Sequence, residues 1–72
     1  MWENGLIGGY RYSIKHYETP SPSGLEGSKI SKLDLIDGET NEIVASYDRG
    51  WDVKPTEPEH ERLIGLIVNR FL

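Results

Sequence analysis

The run Tyr47-Asp48-Arg49-Gly50-Trp51-Asp52 concentrates the side chains best suited to hold a planar or anionic molecule. Arginine offers a bidentate fork to a phosphate or carboxylate, tryptophan and tyrosine offer stacking faces, and glycine admits close backbone approach. With Lys29, Ser31 and Lys32 on the preceding strand and Ser23-Gly24 in a proline-rich loop, the run predicts a site that reads a phosphate and a base together. The same residues have a structural use as well. Trp51 would cap a small core against a helix, Asp48 and Arg49 would pair within a turn, and Gly50 would supply a positive φ.

Residues for bond-making chemistry are few. There is no cysteine, and no serine lies in the strand-turn-helix setting of a nucleophile elbow. The two histidines share no ligand spacing with each other or with a carboxylate pair: His16 alternates with Tyr12 and Ile14 as an edge-of-core residue, and His60 between Glu59 and Glu61 reads as solvated. Asp34, Asp37, Asp48 and Asp52 lack the loop pattern of a calcium site. Gly5-Leu6-Ile7-Gly8-Gly9 lacks the preceding strand and following helix of a phosphate-cradling loop. The expectation is therefore a protein that is not an enzyme, with no metal and no cofactor.

Those candidate residues need a scaffold. Tyr10 to Tyr17 alternates, with Tyr10, Tyr12, Ile14 and His16 on one face and Arg11, Ser13, Lys15 and Tyr17 on the other, which predicts a first half-buried strand entered through a bulge or a close backbone approach at Gly8-Gly9. Glu18 to Gly27, with Pro20, Pro22, Gly24 and Gly27, reads as a loop. A second strand over about 29–36 turns Leu33 and Leu35 one way and Ile30, Lys32, Asp34 and Ile36 the other. Asp37-Gly38 starts a hairpin, and a third strand follows over about 42–48 with Ile43, Ala45 and Tyr47 together. Pro58 in a first turn, with Thr56 and Glu59 at capping-box spacing, opens a helix over about 57–71, its stripe formed by His60, Leu63, Ile64, Ile67, Val68 and Phe71. The fold class is α+β: a three-stranded antiparallel meander with one C-terminal helix packed on one face, as a single domain over 1–72.

The segments Gly27-Ser28-Lys29-Ile30-Ser31-Lys32-Leu33 and Tyr47-Asp48-Arg49-Gly50-Trp51-Asp52 resemble the shared pattern of a family of very small uncharacterised proteins of Firmicutes and their phages. The resemblance carries over no catalytic residue. It implies a phage or mobile-element accessory protein, working in the host-cell cytoplasm. Small phage proteins of this build counter host defence by sequestering nucleotide signals in oligomers, or by blocking a defence protein.

Size and charge bound these readings. A chain of 72 residues buries only about 60% of its unfolded surface, and without disulfides a second copy is the natural support. The formal net charge of -4 disfavours a general nucleic-acid binder. No secretory signal opens the chain, and no apolar run spans a bilayer. The leading expectation is a homo-oligomer, joined through the C-terminal helix and a strand face, that sequesters an anionic nucleotide-like ligand. The alternative is a protein-protein inhibitor of a host defence enzyme or CRISPR effector, acting through the acidic helix start and exposed tyrosines.

Overall fold

Consecutive glycines let a chain reverse within two residues, and that settles its N-terminal part. In the computed structural model, which describes residues 1–72, Gly8 and Gly9 have φ of 53° and 84°, as a type I′ turn requires. They close a hairpin between β1 (Trp2–Ile7) and β2 (Tyr10–His16), with Ile7 opposite Tyr10. The glycine pair is thus a turn, not a bulge, and the polar segment before it is a strand. β3 (Ile30–Asp37) and β4 (Ile43–Asp48) follow. Arg49, at φ 60°, then turns the chain so that β5 (Trp51–Val53) pairs back on β4. The expected three-stranded meander is therefore corrected to a five-stranded antiparallel sheet in the order β1-β2-β3-β4-β5, followed by α1 (Pro58–Asn69).

The helix covers one face of this sheet. Tyr12 and Ile14 of β2, Ile30, Leu33 and Leu35 of β3, and Ala45 of β4 bury themselves against Leu63, Ile64, Ile67 and Val68 of α1. The extra strands give the helical stripe enough sheet to cover, so it closes on its own core and leaves Leu66 exposed. Two irregularities reassign side chains that strict alternation had misplaced. Between β2 and β3 the ladder passes from Lys15 opposite Lys32 to His16 opposite Ile30, which brings fully buried Ile30 into the core. Between β3 and β4 it passes from Leu35 opposite Ala45 to Ile36 opposite Ile43, so Val44 packs on the core while Ile43 stays exposed.

The long β2–β3 connection is itself part of the core. A 3₁₀ turn at Leu25–Gly27 buries Leu25 completely, and the Lys29 amide donates to the carbonyl of Phe71 at 2.9 Å, tying loop to C-terminus. At the far edge the Tyr12 ring lies over Gly5, where any side chain would collide with it. The Tyr12 hydroxyl is held by Arg70 at 2.9 Å, and Arg70 reaches Glu3 at 3.3 Å. Arg70 thus joins helix end to first strand.

The helix start differs from its sequence signature. Glu57 is the N-cap residue, its side chain makes no capping bond, and the Thr56–Glu59 box does not form. Glu59 is instead bonded by Arg62 at 2.8 Å. No helix is long and apolar enough to cross a membrane.

Candidate functional site

Antiparallel register determines which side chains share the uncovered face. One rung crosses it as Trp2, Lys15, Lys32 and Asp48, the next as Asn4, Ser13, Asp34 and Ser46, and the third as Leu6, Arg11, Ile36 and Ile43. Each rung has its own chemistry.

The first rung is cationic. Lys15 and Lys32 are direct cross-strand partners, an arrangement that costs stability because like charges face each other. One carboxylate, Asp48, stands 3.8 Å from Lys32. Lys15 lies 5.6 Å from the centre of the Tyr17 ring, and its hydrogen bond and positive charge lower the Tyr17 hydroxyl below the ordinary tyrosine value, with Arg49 adding to the effect. The Arg49 amide donates to the carbonyl of Ser31 at 3.2 Å, while its exposed guanidinium makes no hydrogen bond or ion pair. Lys15, Tyr17, Lys32 and Arg49 thus gather at one end of the open face, with exposed Trp2 next in the rung.

In the middle rung Ser46 donates to Asp34 at 2.8 Å. In the third rung Arg11 is engaged by Asn41 at 2.7 Å. Beside it lies a shallow cavity of about 440 Å³, lined by Asn4, Leu6, Ser13 and Ile36 among others.

The residues expected to form one site are divided between two faces. Lys32 and Arg49 belong to the cationic end of the open face. Ser31 is buried, its hydroxyl donating to the Lys15 carbonyl at 3.3 Å, so it supports that end from within. Lys29 has its backbone committed to Phe71 and Tyr17. Tyr47, Trp51, Ser23 and Gly24 lie on the helix side. There the Tyr47 hydroxyl donates to the Ser23 carbonyl at 2.9 Å, and the Tyr47 ring stands edge-on to Trp51 at 5.1 Å. Gly24 is buried where a side chain would strike the Ser28 carbonyl.

Trp51 is neither sealed in the core nor fully free, at 37% exposure. The positive φ expected of Gly50 belongs to Arg49, and Asp48 pairs with Lys32 rather than with Arg49. Lys15, Tyr17 and Trp2 were missed, although the alternation of β2 already put Lys15 and Tyr17 on one face. Their meeting with Lys32 depends on register, which single-strand periodicity does not supply.

The histidines occupy different surroundings. His16 packs on Phe71 with ring centres 4.6 Å apart. His60, expected to be solvated, is only 5% exposed because it falls on the buried stripe between its two glutamates. Its Nε2 lies 3.1 Å from the Tyr10 hydroxyl and 3.6 Å from Glu57, and its Nδ1 is buried without a partner. Burial, then the charges of Asp37, Glu57, Glu59 and Glu39, push the Tyr10 hydroxyl above the ordinary value. No three histidine, aspartate or glutamate side chains converge as a metal site would require.

No curated protein and no solved structure matches the chain. A family model does, over residues 1–72, under the description domain of unknown function DUF7678, and the chain belongs to that family.

Proposed function

We propose that the protein is a non-enzymatic binder of a small anionic, nucleotide-like molecule held at the cationic end of the open sheet face. The observation that carries this reading is the Lys15–Lys32 cross-strand pair. Two lysines set face to face, with a single carboxylate 3.8 Å from one of them, form a destabilised arrangement that an anion would relieve. Arg49 adds an uncommitted guanidinium, and Tyr17 and Trp2 add aromatic surface for a base. Copies of the chain assemble through the apolar end of the same face, where Leu6 and Ile43 are exposed, and this deepens an otherwise flat site. In a phage or mobile-element setting, such an oligomer would sequester a nucleotide signal and so blunt host defence.

Isothermal titration against a panel of linear and cyclic nucleotides tests the reading. A saturable heat with at least one nucleotide, abolished by Lys32→Glu and by Arg49→Ala, is expected. No heat across the panel overturns it.

A second reading, inhibition of a host defence enzyme or CRISPR effector, draws on the acidic helix start, where Glu57, Glu59 and Glu61 gather. One stable partner captured from host lysate, with binding lost on Glu57→Lys, would favour it over the first.

A further inference from the structure

On the helix side, away from the cationic rung, a groove of about 210 Å³ separates α1 from the strand-to-helix linker. Trp51, Pro55 and Ile64 give it apolar walls, and Glu26 and Glu61 give it two carboxylates. Neither glutamate makes an ion pair or a side-chain hydrogen bond, whereas Glu59, two residues before Glu61, is taken by Arg62 at 2.8 Å. Lys54 lines the same groove and pairs with neither, so two negative charges and one positive leave a net charge of -1 beside an indole. Gly65 completes the lining, and a side chain there would meet nothing within 4 Å. Glycine in a helix interior is destabilising relative to alanine, and no internal packing requires it at this position. Its effect is to keep the groove open.

We infer that this groove receives the arginine side chain of a partner polypeptide. An indole beside uncommitted carboxylates suits a guanidinium, which is planar, stacks on aromatic rings and divides its five donors between acceptors. An ammonium is more strongly hydrated and lacks the stacking plane. The volume admits one long side chain, not a folded surface. Tyr47 and Ser23 act as positioning residues: the hydroxyl anchored to the Ser23 carbonyl holds the Tyr47 ring against Trp51. The site is independent of the anion site, which lies on the opposite face of the sheet.

The test uses the full chain with Trp2→Phe, so that Trp51 alone reports by fluorescence, titrated with a capped Gly-Arg-Gly peptide and its citrulline counterpart. A saturable change with the arginine peptide is expected, at least about tenfold weaker with citrulline, which keeps the shape and loses the charge. Glu61→Gln and Gly65→Leu remove the response while the thermal melt shows the fold retained. Lys54→Ala strengthens it, which no purely structural role for these residues would produce. Equal responses to both peptides, no response to either, or a response to free arginine without one to the peptide overturns the proposal.

Discussion

At the scale of single residues, the clearest energetic anomaly is the lysine pair facing across β2 and β3. Replacing Lys15 by glutamate turns repulsion into attraction and should raise stability by about 0.5 kcal/mol in urea denaturation, within the usual range for cross-strand pairs, while abolishing anion binding. A stabilised variant that still binds nucleotide would separate the pair from the site. The tyrosines give a second readout. Tyr17 is lowered by Lys15, so its ionised form is held better in the folded chain. That contribution to stability is present above the ordinary tyrosine value and is lost as pH falls through the lowered one. Tyr10 is raised, so its contribution is present below the ordinary value and is lost as pH rises through the raised one. Ultraviolet titration should resolve one early and one late phenol, and Lys15→Met should move the early one back. Glu26 is a third case. It sits at φ 53°, where a side chain is strained, and Glu26→Gly should stabilise the chain by about 1 kcal/mol while weakening arginine-peptide binding, both measurable on one sample.

At the scale of elements, β2, β3, β4 and α1 were legible because each has a clear period: alternation in Tyr10 to His16, and the helical stripe from His60 to Val68. β1 and β5 were not. Trp2-Glu3-Asn4-Gly5-Leu6-Ile7 carries its only large apolar side chains at its ends, and its pairing follows from the Gly8-Gly9 turn rather than from its own pattern. β5 is three exposed residues and exists through the Arg49 turn. The candidate residues were legible as chemical types but not as neighbours, since one bulge beside Ser31 decides what Ile30 and Lys32 face. The long loop was expected to bring Ser23 and Gly24 to a site, and Leu25 adds a core role. Leu25→Ala should cost about 2–5 kcal/mol, as truncation of a fully buried leucine does, with the loss read from the urea midpoint. Gly5→Ala should cost about 1–3 kcal/mol by displacing the Tyr12 ring, and calorimetry would register it. An unchanged melt would mean that Tyr12 is free to swing aside.

At the scale of the whole molecule, one sheet presents two unlike surfaces. The covered face is spent on α1, and the open face runs from cations at one end to exposed Leu6 and Ile43 at the other. Leu6→Lys should therefore convert the proposed oligomer to monomer in light scattering while leaving the thermal melt of the subunit intact. A wild-type chain already monomeric at high concentration would remove the assembly from the reading. The strand order has a further consequence. Because every strand pairs with its immediate predecessor, the sheet needs no distant segment to begin forming, and low sequence separation favours fast folding. During synthesis the hairpins can zip up one after another as they leave the ribosome. The greasy underside stays bare until α1 docks on it, so the chain is most prone to clumping while the sheet has formed and the helix is still free.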